Sequence, residues 1–367
     1  RLILCSSKLC NRATKKSFVT ISMKVLVVTQ KLDKNDENLG AFYFWFERLA
    51  QQCAHMVIIA DAVGTHDLPS HVEVFSLGKE SGRGRLRRVW RYWSLFSYHY
   101  ARVDAVFFHM IPEFVLAAAP FLIALKRRRF LWYAHGTVTW RLAWAERLVD
   151  FVFSSSPAGF RLPSKKLIIT GQAVNTEVFR PAAHTRESPV LSMITIGRVA
   201  PVKNYETIIR ACHILKNSWG REFLLSCIGG PILPRDYAYL KTLEHLIGEL
   251  GLADYVHFYG SRPFGEIASL LQSHDMFINV SRTGSLDKAV LEAMSTGLTV
   301  ITANDAYEAF LPADYFLPRV SPEALAGRIR ALADEKRPNM ALREIVMRDH
   351  SLDKTIGRMV KLFQEPL

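Results

Sequence analysis

Short apolar runs typical of buried β-strands alternate with helical patterns along almost the whole chain. The runs KVLVVT (24–29), MVIIA (56–60) and DAVFFH (104–109) are each followed by a helical pattern. Such alternation predicts parallel strands joined by crossover helices, and therefore an α/β protein. The pattern stops in VNTEVFRPAAHTRESP (174–189), which reads as a linker, and resumes at VLSMITIG (190–197). We therefore predict two Rossmann-like domains with a cleft between them.

Length and composition agree with two domains. The chain has 367 residues, of which 49% are apolar and 22% charged, enough for two hydrophobic cores. Residues 1–22 contain five basic residues and no acidic one, whereas Met23 begins the first strand-like run. We interpret residues 1–22 as a non-native or disordered extension, with a targeting peptide as the weaker alternative.

Charge and cysteine content limit the classes of partner. The net charge of +13 would fit a nucleic-acid-binding protein, but no nucleic-acid-reading motif is present, so we do not expect that partner. The five cysteines show neither zinc nor disulfide spacing, which favours free thiols in a reducing compartment such as the cytoplasm. No apolar run approaches the length of a membrane-spanning helix.

Two basic segments in the first half of the chain suggest a further partner. GRGRLRRVWRYWSLFSYHYAR (82–102) interleaves arginine with aromatic residues, and KRRR (126–129) adds a second basic cluster. Such helices often rest on anionic membrane surfaces. An amphipathic helix with a solvated basic side is an equally good interpretation.

The segment ITIGRVAPVKNYETI has the composition of an anion-binding corner. A strand leads into Gly197, Arg198 and Lys203, and a helix follows. Glycine permits close approach of the backbone, and helix N-termini favour negative charge. An arginine can hold two phosphate oxygens, while a lysine acts as a point charge. The pattern indicates a diphosphate site, with two solvated surface cations as the alternative.

A second corner lies in TGSLDKAVLEAMSTGLTVI (283–301). Three residues would present backbone N–H groups at the start of a helix: Gly284, Ser285 and Leu286. Ser285 is the expected N-cap and Gly297 the expected C-cap. Glu292, two turns further on, could accept hydrogen bonds from the hydroxyl groups of a ribose. Alternatively, Glu292 forms an i,i+4 pair with Lys288, although this order is the weaker one on a helix.

These segments resemble a known family. GRVAPVKNYETIIRA and GSLDKAVLEAMSTGLTVI, in this order, are similar to the donor-binding half of GT-B fold glycosyltransferases of family GT4. In the first half, VVTQKLDKNDENLGAF, FFHMIPEF, YAHGTVTW and GQAVNTEVFRP are similar to the same family. The resemblance extends from Met23 to the C terminus.

The resemblance implies a domain plan and an activity. Residues 23–178 would form the acceptor-binding domain, residues 179–350 the nucleotide-sugar-binding domain, and residues 351–367 a helix that crosses back. The cleft would hold both substrates, and the enzyme would be a retaining glycosyltransferase acting on a glycan or lipid-linked acceptor. Cell-envelope polysaccharide biosynthesis is the expected setting, in the cytoplasm or at the inner face of the plasma membrane.

The resemblance also assigns roles at the reaction centre. Arg198 and Lys203 would neutralise the leaving diphosphate, and His135 would point at the donor sugar. No Asp-x-Asp motif occurs in the chain, so we expect neither a metal ion nor another cofactor.

In the donor site the chain departs from the family pattern. Glu292 resembles the second acid of the family's E-x7-E motif, which holds the ribose. The first acid is expected at position 284, where this chain has Gly284. Contacts to the donor sugar would then come from the backbone of residues 284–286, with help from Asp287 and Lys288.

On the acceptor side, Gly40 resembles the glycine that lets acceptor and phosphate approach the chain, and His109 is a further candidate. The polar loop 31–38 would border the acceptor. A catalytically silent GT-B protein that binds nucleotide-sugars and a nucleotide-sugar epimerase are the alternative functions. The sugar, the nucleotide base and the oligomeric state stay open.

Overall fold

The computed structural model of the protein describes residues 22–37, 39–183, 188–282 and 284–365. The predicted extension, residues 1–22, lies outside this part of the chain except for Ser22. Within the described residues, two parallel sheets of seven and five strands are surrounded by eleven α-helices. The predicted α/β class with two parallel sheets is therefore confirmed.

All strands of the N-terminal sheet are parallel. The strands are β1 (Lys24–Leu32), β2 (His55–Val63), β3 (Val72–Ser76), β4 (Ala105–His109), β5 (Arg128–Trp132), β6 (Phe151–Ser154) and β7 (Leu167–Ile169). Their order is β3-β2-β1-β4-β5-β6-β7. The sequence analysis missed β3, because this edge strand is only partly buried and does not form an apolar run.

The C-terminal sheet is also parallel. It contains β8 (Leu191–Ile196), β9 (Phe223–Ile228), β10 (Val256–Phe258), β11 (Met276–Asn279) and β12 (Thr299–Thr302), in the order β10-β9-β8-β11-β12. Strand order reverses between β1 and β4 in one sheet and between β8 and β11 in the other. Loops at such reversals diverge and leave a crevice at the carboxyl ends of the strands.

The helices cover both faces of each sheet. They are α1 (Gly40–Ala50), α2 (Arg85–Tyr100), α3 (Pro112–Ala124), α4 (Trp140–Leu148), α5 (Tyr205–Ser218), α6 (Pro234–Glu249), α7 (Phe264–Gln272), α8 (Lys288–Ser295), α9 (Pro322–Leu332), α10 (Met340–Asp349) and α11 (Leu352–Gln364). The sequence analysis did not assign α7, α9 or α10. Helix α7 is short, and α9 and α10 follow the last strand, where no alternation marks them.

Each sheet has a hydrophobic core on both faces. In the N-terminal domain, α1 and α11 pack on one face and α2, α3 and α4 on the other. In the C-terminal domain, α5, α6 and α9 cover one face and α7, α8 and α10 the other. Near-continuous burial of the strands explains their apolar sequences.

The last helix, α11, belongs to the N-terminal core. The ring centroids of Phe363 and Phe130 lie 4.3 Å apart, and Arg128 donates a hydrogen bond to the carbonyl of Leu362 at 2.7 Å. Thr355 donates to the carbonyl of Thr170 at 3.0 Å. The chain therefore returns from the C-terminal domain, where α10 packs, to the N-terminal domain, where α11 packs.

Candidate active site

A cavity lies between the domains at the carboxyl ends of the strands. Its lining includes Glu37 from the loop after β1 and, from the C-terminal domain, Gly197, Arg198, Gly230 and Ser261. Arg262 also contributes. This places the first predicted corner at the crevice expected from the strand order.

Two glycines allow the loops after β8 and β9 to touch. Gly197 and Gly229 have φ angles of +155° and +130°, which side chains rarely adopt. A Cβ atom on Gly229 would lie 2.1 Å from the carbonyl oxygen of Gly197. The two loops therefore pack directly on each other beside Arg198, and the approach of a ligand to Gly197 stays a prediction.

Arg198 is held from behind by a buried carboxylate. Its side chain is 37% exposed, and its Nε lies 3.9 Å from Oδ2 of Asp236, which is 1% exposed. Asp236 accepts hydrogen bonds from the backbone N–H groups of Leu233 and Ile232. These bonds, led by that of Leu233, outweigh desolvation and, with the charge of Arg198, hold the pKa of Asp236 below its usual value. Asp236 thus orients the arginine while leaving much of it accessible.

Lys203, by contrast, is paired inside the protein. Its Nζ lies 2.5 Å from Oδ2 of Asp287, which also accepts hydrogen bonds from Asn279 and Ser281 at 3.0 Å each. Burial opposes ionisation of Asp287, but Lys203 and the two hydrogen bonds keep the pKa of this carboxyl below its usual value. We call Lys203, Asn279, Ser281 and Asp287 the locked corner, because the charges of Lys203 and Asp287 neutralise each other.

The helix start in the second corner differs from the prediction. Helix α8 begins at Lys288, and its N-cap is Asp287, so the prediction that Ser285 caps the helix is wrong. Gln172 donates to the carbonyl of Leu286 at 3.1 Å, and this bond fixes the loop against the N-terminal domain. Gly297 follows the helix end with a φ of +77°, the left-handed conformation typical of a residue that ends a helix.

Lys288 points into the N-terminal domain, and its role in donor binding stays a prediction. Its Nζ lies 3.8 Å from the ring centroid of Phe42 and 4.8 Å from that of Trp45. This buried nitrogen has no hydrogen-bond partner among the described residues. Burial lowers the pKa of Lys288, and the nearby charge of Glu292 opposes the change. We call Phe42, Trp45, His109, Lys288 and Glu292 the buried junction.

Glu292 is 6% exposed and lies one helical turn after Lys288 on α8. Burial raises the pKa of its carboxyl, whereas Lys288 lowers it. Lys288 Nζ has no hydrogen-bond partner among the described residues, so the alternative of a direct i,i+4 pair with Glu292 is wrong. The role of Glu292 in ribose binding stays a prediction.

His109 and Gly40 lie inside the molecule. His109 is 2% exposed, accepts or donates a hydrogen bond with Thr29 at 3.2 Å, and packs against Phe42. Burial, together with Lys288, lowers its pKa to about 3. A Cβ on Gly40 would lie 3.1 Å from Cβ of Phe264, so glycine at this position lets the two domains pack closely. Both residues contribute to packing, and their acceptor roles stay predictions.

The predicted acceptor loop is held by local ion pairs. Lys31 pairs with Asp33 at 3.4 Å and more closely with Asp36, and Lys34 lies 2.8 Å from Asp67. Asp33 and Asp36 of this loop therefore balance Lys31, whereas Lys34 is paired with Asp67 outside the loop.

His135, in contrast, is exposed at the carboxyl end of β5. Its Nδ1 accepts a hydrogen bond from the backbone N–H of Thr137 at 3.3 Å. The neutral ring therefore carries its proton on Nε2, the nitrogen left to face a ligand. We call Glu37, His135, Arg161, Arg198 and Gly284 the open cleft.

Arg161 was missed by the sequence analysis. Its guanidinium lies beside Gly136, whose Cβ would be 3.2 Å from Nε and Cζ, and beside Gly284. Asp236, Asn279 and Ser281 were missed as well. Their positions in the sequence could have indicated three of them as site residues, because Arg161 follows β6 and both Asn279 and Ser281 lie at the end of β11.

The described residues contain no group of three His, Cys, Asp or Glu side chains able to hold a metal ion. None of the helices in the described part of the chain combines the length and apolar character that crossing a bilayer requires.

Comparison with known proteins agrees with this geometry. Residues 179–346 match the model of the family described as glycosyl transferases group 1. The putative colanic acid biosynthesis glycosyltransferase WcaL of Escherichia coli is 27% identical over 182 residues, which cover 47% of this chain and 43% of that protein. A GDP-mannose-dependent alpha-(1-6)-phosphatidylinositol monomannoside mannosyltransferase of Mycobacterium tuberculosis is 27% identical, and the match covers 43% of this chain and 44% of that protein. The chain thus spans less than half the length of these curated relatives.

Solved structures match over almost the entire chain. Anabaena Alr3699/HepE in complex with UDP and glucose has a TM-score of 0.72 at 15% identity, covering 94% of this chain and 100% of that one. WaaG, a glycosyltransferase involved in lipopolysaccharide biosynthesis, has a TM-score of 0.65 at 15% identity, covering 93% and 100%. At such identities the likeness establishes the shared two-domain fold.

Proposed function

We propose that the chain transfers a sugar from a nucleotide-sugar donor to an acceptor, because residues 179–346 match the model of the glycosyl transferases group 1. The observation that carries the proposal is the corner at Gly197 and Arg198. Bare backbone and an accessible guanidinium meet there at the carboxyl ends of a parallel sheet. This is the arrangement that a diphosphate requires.

In the proposed reaction, the bond between the sugar and the diphosphate breaks, and negative charge develops on the leaving phosphate. Arg198, oriented in advance by Asp236, stabilises that charge without further reorganisation. Lys203 contributes only where the diphosphate competes with Asp287. We propose that the reaction needs no metal ion, since these cations take the role of one.

His135 would donate a hydrogen bond from Nε2 to an oxygen of the donor sugar. We further propose that the new bond forms on the same face of the sugar as the bond that breaks, with the leaving phosphate accepting the acceptor's proton. The anomeric configuration of the product, determined by NMR, tests this point. An inverted product would contradict retention while leaving transfer itself intact.

The acceptor is proposed to be a glycan or a lipid-linked glycan of the cell envelope. The name of one relative refers to colanic acid and that of another to phosphatidylinositol monomannoside. Incubation with labelled nucleotide-sugars and membrane lipid extracts would test this. We expect labelled glycolipid or glycan in the presence of wild-type protein and about 100-fold less with Arg198→Ala.

An exposed apolar and basic surface supports the proposal of a lipid-linked acceptor. Large apolar side chains on α2, α3 and α4 are exposed: Leu86, Trp90, Ile123, Trp140 and Trp144. Arginines surround them, and Arg141 and Arg147 lie over the rings of Trp140 and Trp144. We propose peripheral binding in the cytoplasm to the inner face of the plasma membrane, where anionic lipids attract basic segments.

Sedimentation with anionic and neutral vesicles tests that surface. Binding to anionic vesicles alone, reduced by the paired change Trp140→Ala and Trp144→Ala, is the expected result. Equal and negligible binding to both vesicle types would remove the membrane from the proposal.

A catalytically silent nucleotide-sugar-binding protein is the second candidate. The locked corner favours it, because Asp287 already neutralises Lys203, and so does Gly284 in place of an acid. Nucleotide binding without transfer or hydrolysis, across donors and acceptors, would select this candidate over the enzyme.

A further inference from the structure

Arg161 fills the space that a side chain at position 284 would need. Gly284 has a φ of +66°, and a Cβ atom built there would lie 2.1 Å from Nη2 of Arg161. Any side chain at this position would have to displace the guanidinium. In the open cleft, Arg161 of the N-terminal domain therefore occupies the space that a side chain at position 284 of the C-terminal domain would take.

The arginine is placed beside the proposed reaction centre. Its Nε and Cζ lie 3.2 Å from the Cβ position of Gly136, the residue that follows His135. Glycine at positions 136 and 284 leaves room for the planar guanidinium between the two domains. The side chain thus reaches from the end of β6 in the N-terminal domain to the loop before α8 in the C-terminal domain.

The charge of Arg161 is not used within the protein. Among the described residues its guanidinium takes part in no ion pair or hydrogen bond, unlike Lys203, which Asp287 neutralises. A glutamate at position 284 would have accepted hydrogen bonds from sugar hydroxyls. A guanidinium only donates hydrogen bonds, and its fork matches the two oxygens of a carboxylate.

We propose that Arg161 binds a carboxylate on the donor sugar, so that the donor is a nucleotide-activated uronic acid. The inference rests on the proposed function, because it requires a nucleotide-sugar in the open cleft. It adds the substrate class: the sugar site lacks a hydroxyl-binding carboxylate at Gly284 and has a cation in the same space instead.

Calorimetric titration of the full chain tests the proposal. Titration with UDP and with GDP first identifies the nucleotide that binds. The matching pair is then compared, either UDP-glucose with UDP-glucuronic acid or GDP-mannose with GDP-mannuronic acid. We expect the uronic acid form to bind at least about 10-fold more tightly, as a charge-assisted bidentate contact predicts.

Variants of Arg161 separate recognition from a structural role. Arg161→Gln should reduce the preference for the uronic acid form to within about twofold and leave the affinity for the nucleotide alone unchanged. Arg161→Lys should retain part of that preference. Arg161→Glu should reverse it in favour of the neutral sugar. Arg221→Gln, which removes an exposed pair with Asp334, is the control.

The outcomes distinguish this inference from the proposed function. Absence of binding by either nucleotide would overturn both. Nucleotide binding with equal affinity for the neutral and acidic sugars, or a preference that survives in Arg161→Gln and Arg161→Glu, would overturn this inference alone. A charge dependence that appears only when a phosphorylated acceptor is present would assign Arg161 to the acceptor and would likewise overturn it.

Discussion

The open cleft and the buried junction lie next to each other, yet they use charge in opposite ways. In the open cleft, Arg198 is held at one end by Asp236 and keeps more than a third of its side chain exposed. In the buried junction, Lys288 packs against the rings of Phe42 and Trp45, and Glu292 is 6% exposed. Among the motif residues, Arg198 is therefore available to a ligand, whereas Lys288 and Glu292 lie where the two domains join.

The reason for the difference is local geometry. Arg198 follows β8 directly, so its backbone lies at the sheet edge where the loops diverge. Lys288 and Glu292 are one helical turn apart on α8, whose face is turned towards α1. Removing residues of the junction should cost stability, whereas removing residues of the cleft should cost ligand binding.

The largest expected effect is on the junction. Trp45 is 1% exposed, and its Nε1–H donates to the carbonyl of Ala173 at 3.0 Å. Trp45→Ala should lower the free energy of unfolding by about 3–5 kcal/mol, because it leaves a cavity and removes the hydrogen bond. Urea unfolding monitored by circular dichroism would measure this. The exposed Trp140 is the control, and an equal loss in Trp140→Ala would contradict the distinction.

Arg198→Ala should produce the next largest effect, and only in function. We expect turnover to fall about 100-fold, as for the loss of a donor to the developing charge, with unfolding changed by less than about 0.5 kcal/mol. Steady-state kinetics with the donor identified by titration would measure it. Near-normal turnover would show that the open cleft does not hold the diphosphate.

The pH dependence of the free energy of unfolding should distinguish the histidine of the buried junction from that of the open cleft. Burial lowers the pKa of His109 to about 3, so this ring is neutral in the folded protein and protonated in the unfolded chain below its usual value near 6.5. Protonation of this histidine therefore favours the unfolded chain. The free energy of unfolding should be highest above about pH 6.5 and should fall as the pH drops below it. Between pH 7 and pH 5 the loss should be about 2 kcal/mol.

His109→Gln should flatten that part of the pH dependence, whereas His135→Gln, at an exposed position, should leave it unchanged. Unfolding in urea at pH 5, 6 and 7 compares the three proteins. Identical slopes for wild type and His109→Gln would contradict a buried neutral histidine in the junction.

The smallest expected effect concerns the locked corner. Asp287→Asn removes the charge that occupies Lys203, so nucleotide affinity should rise by several-fold, about 1 kcal/mol. Lys203→Met combined with Asp287→Asn is the matched control, since the released cation is then absent. If affinity rises equally in both proteins, Lys203 takes no part in binding the diphosphate.

The sequence predicted the sheets well because their strands are buried on both faces and appear as apolar runs. It located Arg198 and His135 correctly at strand ends, since that position follows from the α/β pattern itself. It did not indicate the burial of His109, which also ends a strand, because that burial depends on aromatic side chains of α1.

Pairings between distant segments lay beyond the sequence. Lys203 and Asp287 are 84 residues apart, and nothing in either motif indicates that they neutralise each other. Arg161 likewise reaches Gly284 only because the domains close on each other. Such contacts depend on the arrangement of loops in space, and a single sequence carries no period or spacing that reports it.

A crystal structure with UDP or GDP bound would test the central claim most directly. The account predicts a phosphate oxygen within about 3.2 Å of the Arg198 guanidinium, beside the backbone of Gly197, with Asp236 still behind the arginine. A nucleotide bound on another surface, or an Arg198 side chain turned away from the phosphates, would contradict it.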